Sequence, residues 1–145
     1  MRVYLDNCCY NRPYDDQSQL RISLESQAKV EVQNEIKGGK IELATSYMGF
    51  YENNENPYEI RRMNIRDFQD RYVTIHVSEN MDDKVNEKAR EIENTGVKYK
   101  DACHVACAIL SKCDYFLTTD DRLLKYQCDE VSLMNPVDFI KLLEV

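Results

Sequence analysis

The sequence predicts an α/β fold with a mainly parallel central sheet. Short apolar segments rich in β-branched and aromatic residues alternate along the chain with longer segments whose apolar residues recur at helical spacing. Such alternation is typical of βαβ units, in which a helix connects one parallel strand to the next. In open sheets of this kind, ligands bind outside the carboxyl ends of the strands. Candidate functional residues are therefore expected at those ends.

The first elements follow from apolar runs and the residues that stop them. Residues 2–6 (RVYLD) are a β-prone run that ends in an acid, and residues 17–36 have apolar positions mostly at helical intervals. The glycine pair at 38–39 stops that helix. Residues 40–46 (KIELATS) predict a second strand, which ends at Ser46, a good helix N-cap.

The middle of the chain predicts two helices and a strand. The first helix begins at Tyr47 and ends in the polar stretch 53–56, because Pro57 disfavours helical backbone before it. A charged helix follows over residues 58–71, and residues 72–77 (YVTIHV) are a strand.

The last part of the chain continues the alternation. An amphipathic helix is predicted over residues 81–94, and the nearly all-apolar segment 101–110 predicts a helix buried on most sides. Strands are predicted at residues 115–119 and 130–136, with a terminal helix over 137–143.

Length and composition bound the class of protein. A chain of 145 residues fits one domain, 1–145, and 43% hydrophobic with 31% charged residues indicates a globular protein. The longest apolar stretch, residues 102–110, is too short to span a membrane, and the first residues show no secretion signal. Six cysteines in such a chain predict reduced thiols in the cytoplasm.

The charge balance argues against one class of function. A formal net charge of −7 argues against a general nucleic-acid coat, which is expected to be basic. It does not exclude an enzyme that acts on nucleic acid, because a metal held by acids presents its own positive charge to the substrate.

Four acids stand at informative positions, although each has an ordinary alternative. Asp6 and Asp120 follow predicted strands, which places both at the same edge of the sheet. Asp6 is also suited to begin a turn, and Asp101 to cap its helix. Glu52, near the end of a helix, is equally an ordinary solvated acid.

Together these acids match a family pattern. The matching segments are VYLDNCCYNRP (3–13), SYMGFYENNENP (46–57) and VKYKDACHVACAILSKCDYFLTTDDRLL (97–124). In their order, and with an acid in each, the chain resembles the PIN-domain ribonucleases over nearly its full length. The resemblance implies a three-layer α/β/α sandwich with a mainly parallel central sheet.

The resemblance also implies a catalytic metal site. Carried over by position, the acids that bind metal and support catalysis are Asp6, Glu52, Asp101 and Asp120, with Asp121 as a further candidate ligand. Thr118 is the threonine of the family's Thr-x-Asp pattern, and the hydroxyl of Thr118 or Thr119 is expected to orient Asp120 or a metal-bound water. Asn7 stands where many relatives have threonine or serine, and its amide can make the same kind of hydrogen bond.

Elementary electrostatics gives four neighbouring acids a reason to bind metal. Two unit charges about 4 Å apart repel by roughly 4 kcal/mol at an effective dielectric constant near 20. Acids gathered in one cleft therefore require a cation or protons. Carboxylate oxygens suit Mg²⁺ or Mn²⁺.

The function implied by the resemblance is metal-dependent endoribonuclease activity on RNA, in the toxin of a toxin–antitoxin pair. An antitoxin protein and a homodimer are then the expected assemblies. The alternative is a catalytically inactive PIN-like module that acts through protein or RNA contacts. A phosphotransfer fold is disfavoured, because Cys8 stands where a dehalogenase-type phosphatase needs a second aspartate and the Asp120–Asp121 pair comes late for a receiver domain.

Two further groups of residues have competing interpretations. Cys103, His104 and Cys107 suggest zinc, but they lack the paired spacing of structural zinc sites and are more typical of packing in an apolar helix, with His104 hydrogen-bonded. A second group is suited to bind RNA phosphates or, alternatively, to pair with Glu59, Asp67 and Asp70 on a solvated helix face. This group consists of Arg61, Arg62 and Arg66.

Overall fold

The structure, a computed structural model, describes residues 1–144 and contains one five-stranded sheet. Every strand pair is parallel, and the strands lie in the order β3-β2-β1-β4-β5. This confirms the predicted α/β class with its parallel sheet. The strands are β1 (Arg2–Leu5), β2 (Glu42–Ser46), β3 (Val73–Val77), β4 (Tyr115–Leu117) and β5 (Ser132–Met134).

Helices connect the strands, and each long helix lies where the sequence pattern predicted one. Two short helices, α1 and α7, were not predicted as helices. Each directly follows an aspartate, Asp6 at the end of β1 and Asp120 shortly after β4. The helices are α1 (Asn7–Asn11), α2 (Leu20–Lys37), α3 (Tyr47–Asn54), α4 (Glu59–Tyr72), α5 (Asp82–Glu93), α6 (Tyr99–Leu110), α7 (Asp121–Leu124) and α8 (Pro136–Leu143).

Helices cover both faces of the sheet. Side chains alternate along β1 and β4, so Tyr4 and Phe116, which are partners across the ladder, point to one face. They join a core formed largely by α5 and α6. The other face carries Leu5 and Leu117, which pack with Phe139 of α8 and with residues of α2 and α4. The three-layer arrangement is therefore confirmed.

A buried ionic cluster fixes α2 to its neighbours. Glu25, only 1% exposed, accepts hydrogen bonds from Arg12 Nε at 3.0 Å, Arg21 Nε at 3.3 Å and Asn135 Nδ2 at 2.5 Å. Because a buried carboxylate is costly unless it is paired and hydrogen-bonded, these donors allow Glu25 to lie inside. The cluster joins α2 to the turn after α1 and to the start of α8.

The cysteines contribute to packing. Cys103 and Cys107 on α6 are 2% and 0% exposed and belong to the core against the sheet, as the packing interpretation predicted. All six cysteines are free thiols. Within residues 1–144, no helix combines the length and the apolar character needed to cross a bilayer.

Candidate active site

The first candidate acid, Asp6, lies at the carboxyl end of the central strand β1. It is 8% exposed, and its Oδ1 accepts a hydrogen bond from the backbone N–H of Asn7 at 2.8 Å, which caps α1. Its Oδ2 accepts from the Thr118 hydroxyl at 2.8 Å. Burial raises the pKa of Asp6, while the charge of His104 and the bond from Thr118 act to lower it. Asp6 is thus a buried, well-held carboxylate whose ionised form is disfavoured.

Thr118 connects the ends of two neighbouring strands. The hydroxyl that donates to Asp6 also accepts from the backbone N–H of Asp120 at 3.1 Å, and the side chain is fully buried. One threonine therefore sets the distance between the segments that carry Asp6 and Asp120. The Cys8 Sγ lies beside this junction, 3.4 Å from the Thr118 hydroxyl.

Asp120 begins the short helix α7 and is exposed. Its Oδ1 accepts from the backbone N–H groups of Arg122 at 2.9 Å and Leu123 at 3.4 Å. These bonds fix the carboxylate at the N-cap position. Within residues 1–144 its second oxygen, Oδ2, makes no hydrogen bond and remains available to a ligand.

Asp101 is the acid with the least support from the surrounding protein. It lies half-buried in the first turn of α6, and within residues 1–144 its side chain makes no hydrogen bond or ion pair. Burial raises the pKa of Asp101, and the negative charges of Asp6, Asp120 and Glu52 raise it further. The structure does not bear out the capping alternative, because Lys98 occupies the N-cap of α6 and no side chain caps that end.

Glu52, on α3, is held by a histidine from α6. The Nε2–H of His104 donates to Glu52 Oε2 at 2.6 Å, and His104 Nδ1 lies 2.7 Å from the Tyr4 hydroxyl. That hydroxyl is 2.7 Å from Ser46 Oγ. Burial would raise the pKa of Glu52, but the hydrogen bond and charge of His104 and the nearby Lys100 bring it below its ordinary value.

The pKa of His104 moves in the matching direction. Burial acts to lower it, but the hydrogen bond to Glu52 and the charges of Asp6, Glu52 and Asp101 raise it above its ordinary value. Both shifts favour an imidazolium–carboxylate pair. His104 is therefore a hydrogen-bonded helix residue, as expected, and it also orients a candidate ligand.

Asp121 is engaged elsewhere. Arg21 of α2 binds both of its carboxylate oxygens, at 2.7 and 2.8 Å, and the pKa of Asp121 is lowered by that contact. Arg21 also donates to the backbone carbonyl of Thr119 at 3.1 Å. Metal binding by Asp121 would require the bidentate pair to open.

The side chains fit a hard divalent cation by donor chemistry and charge. Carboxylate oxygens are the preferred ligands of Mg²⁺ and Mn²⁺. Asp101 is a carboxylate without a partner within residues 1–144, and its pKa is raised by burial and by its acidic neighbours. In the arrangement of residues 1–144, however, no three His, Cys, Asp or Glu side chains already form a group that could hold a metal ion. This holds equally for the cysteines and histidine considered for zinc.

The three arginines considered for RNA contacts all have partners within the protein. Arg61 stacks over the Tyr58 ring at 4.4 Å. Arg62 donates to the Asn56 carbonyl at 2.8 Å. Arg66 pairs with Asp70 at 2.9 Å, one of the salt bridges that the alternative interpretation predicted.

Sequence reasoning missed the partners of two candidate acids. The sequence held a weak indication of the His104–Glu52 pair. His104 follows Asp101 by three residues, so the two lie on the same face of the helix. The pair between Arg21 and Asp121 joins residues 100 positions apart and had no local signal.

Comparison with known proteins identifies relatives of this fold. The PIN domain family model matches residues 40–127, more than half of the chain. Comparison with curated proteins found no match.

Solved structures resemble the chain over nearly its whole length. VapBC2 from Rickettsia felis, bound to a DNA fragment from its promoter, is 14% identical with a TM-score of 0.56, covering 93% of this chain and 98% of that one. FitAB bound to an IR36 DNA fragment is 12% identical with a TM-score of 0.58, covering 93% and 95%. FitAcB from Neisseria gonorrhoeae is 12% identical with a TM-score of 0.55, covering 92% and 97%.

Proposed function

The chain belongs to the PIN-domain family, and from this premise we propose that it is a metal-dependent endoribonuclease, the toxin of a toxin–antitoxin pair. The observation that carries the proposal is the electrostatic state of Asp101. Its carboxylate has no partner within residues 1–144, and burial together with the charges of Asp6, Asp120 and Glu52 raises its pKa, against the opposing charge of His104. A bound cation would reduce the repulsion among these carboxylates and so favour the ionised form of Asp101.

In this proposal Asp6, Glu52, Asp101 and Asp120 hold Mg²⁺ or Mn²⁺. When bound, such an ion supplies a Lewis acid that polarises the phosphodiester and lowers the pKa of a water molecule. The protein's own contribution is positioning. Thr118 holds Asp6 by hydrogen bonding to its carboxylate and Asp120 through its backbone N–H, while His104 orients Glu52.

Partners and location follow from the same proposal. The solved structures of similar fold are VapBC2 and FitAB assemblies bound to DNA, which supports an antitoxin partner. Ile60 and Met63 on α4, 75% and 60% exposed, supply apolar surface for such a partner or for a homodimer. We further propose that residues 1–145 form one domain, supported by the single sheet, and that it acts in the cytoplasm, supported by its free thiols.

The test is cleavage of a panel of structured and single-stranded RNAs with Mg²⁺, Mn²⁺ or EDTA. Three proteins are purified in parallel: wild type, Asp120→Asn and Glu31→Gln. The last removes one exposed charge of α2 that makes no ion pair in the described part of the chain. We expect metal-dependent cleavage by wild type and Glu31→Gln and none by Asp120→Asn. Equal cleavage by all three would identify a contaminant and overturn the proposal.

A second candidate function is the inactive PIN-like module. It is favoured by the absence, within residues 1–144, of a group already arranged to hold metal, and by the engagement of Glu52 with His104. Calorimetric titration with Mn²⁺ discriminates between the two functions. A nuclease must bind Mn²⁺, whereas a module that acts only through contacts need not.

A further inference from the structure

An open cleft of about 420 Å³ lies directly beside the candidate acids. Asp101 itself lines it, so a molecule in the cleft would contact the edge of the candidate active site. The rest of the wall comes from two segments, residues 95–98 before α6 and residues 122–127 in and after α7. The second segment directly follows Asp120.

Three cations line the cleft: Lys98, Arg122 and Lys125. All three are exposed, and within residues 1–144 none makes an ion pair. Arg122 is distinctive among the arginines of the described chain, because its guanidinium makes neither an ion pair nor a hydrogen bond. Ion pairs or hydrogen bonds engage the others, at positions 2, 12, 21, 61, 62, 66, 71 and 90.

The arrangement around α7 explains why Arg122 is left without a partner. Neither of its two acidic neighbours in sequence pairs with its guanidinium: Asp121 is engaged on both oxygens by Arg21, and Asp120 is held through Oδ1 by backbone N–H groups. Arg21 thereby takes the carboxylate nearest in sequence to Arg122. The free guanidinium is then available to a ligand from outside the protein, and its planar fork matches a phosphate.

The same cleft has an apolar side. Val97, Leu123 and Tyr126 line it, and the Tyr126 ring is half-buried against the core. Aromatic rings next to cations are typical of surfaces that bind unpaired nucleotides, since each base can stack on a ring while the backbone contacts the cations. An acidic peptide would match the cations but would leave this apolar wall unused.

We propose that this cleft binds a nucleotide of single-stranded RNA adjacent to the bond that is cut, with its phosphate at Arg122, Lys98 and Lys125 and its base against Tyr126. The inference rests on the proposed function for the identity of the polymer. It assigns substrate contacts to α7 and the segments around it, in place of the arginines of α4, whose side chains are already engaged within the protein.

The test measures binding separately from cleavage. Fluorescence anisotropy with a short labelled single-stranded RNA, in EDTA at low salt, compares wild type with the double variant Arg122→Gln/Lys125→Gln. The matched control is Lys112→Gln/Lys141→Gln, which removes two exposed charges that make no ion pair within residues 1–144, one before β4 and one in the last turn of α8. Thermal melting of all three proteins checks that the fold is retained.

We expect the cleft variant to bind RNA at least about tenfold more weakly than wild type, and the control to change by less than about threefold. The slope of log affinity against log salt should fall by roughly 1.4, because each lost phosphate contact on a single strand contributes about 0.7. Tyr126→Leu, made in the wild type, should also weaken RNA binding, but it should leave the slope of log affinity against log salt unchanged.

Equal weakening in the cleft variant and the control, or no RNA binding by the wild type, would overturn the inference. So would competition by an oligoglutamate peptide as effective as competition by RNA, since that would make the cleft a site for an acidic protein segment. The outcome is separable from the proposed function. Loss of RNA binding in the cleft variant supports RNA binding by the cleft even if no metal yields cleavage. Cleavage by the cleft variant with an unchanged KM would contradict RNA binding by the cleft and leave the proposed nuclease function intact.

Discussion

His104 Nε2 lies 2.6 Å from Glu52 Oε2, and this contact joins α6 to α3 across the edge of the site. His104 is 2% exposed, and its other ring nitrogen faces the Tyr4 hydroxyl. Because both ring nitrogens are hydrogen-bonded, the orientation of the imidazole is fixed. The position of Glu52 therefore depends on a residue that is not one of the four candidate acids.

The surroundings of the two histidines, His104 and His76, predict that their pKa values differ. The pKa of His104 is raised by Glu52 and its acidic neighbours despite burial, whereas burial and the charge of Arg66 lower the pKa of His76. In the metal-free protein we expect one imidazole to titrate above about pH 6.5 and the other below it. NMR titration of the ring protons measures both, and Glu52→Gln should lower the higher value.

The His104–Glu52 pair gives the sign of a stability effect. A histidine whose pKa is raised by folding stabilises fully below its unfolded pKa of about 6.5, and that stabilisation is lost as the pH rises through its folded pKa. The difference in unfolding free energy between wild type and Glu52→Gln should therefore shrink from pH 6 to pH 8.5. A difference that grows over this range in urea denaturation would contradict the pairing.

We expect substitution of Asp101 to weaken metal binding without lowering the stability of the metal-free protein. Asp101→Asn removes like-charge repulsion but also a favourable acid at a helix N-terminus, worth about 0.3–1 kcal/mol. We expect the metal-free variant to be as stable as wild type or more stable by up to about 1 kcal/mol, since solvent screens a half-buried group. Denaturation in EDTA measures this.

Addition of Mn²⁺ completes the Asp101 test. The wild type should gain about 2.7 kcal/mol at a metal concentration 100 times its Kd, and Asp101→Asn should gain much less. A large loss of stability in the metal-free variant would instead show that Asp101 supports the fold.

Asp120 and Asp121 should differ in their effect on metal affinity. Asp120 leaves one carboxylate oxygen without a bond within residues 1–144, whereas Arg21 binds both oxygens of Asp121. We expect Asp120→Asn to weaken Mn²⁺ binding by tenfold or more and Asp121→Asn by much less, measured by calorimetry. Equal losses would make Asp121 a ligand and show that its pair with Arg21 opens.

Glu25 predicts a large effect on stability. Glu25→Ala leaves the guanidinium of Arg12 and the amide of Asn135 without their buried acceptor. We expect a loss of about 2–3 kcal/mol, below the usual range for a broken buried pair because Arg12 and Arg21 are partly exposed. Urea denaturation measures it, and Glu31→Ala on the exposed face of the same helix is the control, with a change within about 0.5 kcal/mol.

Sequence periodicity predicted the strands and long helices well because their apolar residues face a core on each side of the sheet. Periodicity could not predict the short helices α1 and α7, because five and four residues are too few to show a helical period. Each helix begins at an aspartate N-cap, Asp6 or Asp120. The sequence did point to these two residues, but as candidate metal ligands and not as helix caps.

The sequence placed Asp6 and Asp120 at one edge because parallel strands share their carboxyl ends. It could not give the state of each carboxylate, which depends on distant partners such as Thr118 for Asp6 and Arg21 for Asp121. It also left the arginines of α4 open as RNA contacts, because clustered charge is visible in a sequence, whereas internal partners such as the Asn56 carbonyl for Arg62 are not. Whether a cation is free is decided only by the fold.

The central position of β1 has a consequence for folding. β1 lies near the start of this sequence, yet it pairs with β4, and the hydroxyl that holds Asp6 comes from Thr118, 112 residues later. Contacts so distant in sequence form late, because a long loop must close before they can contribute. Asp6 and Asp120 come together only after β1 and β4 have paired, so a fragment that ends before β4 could not assemble the candidate site.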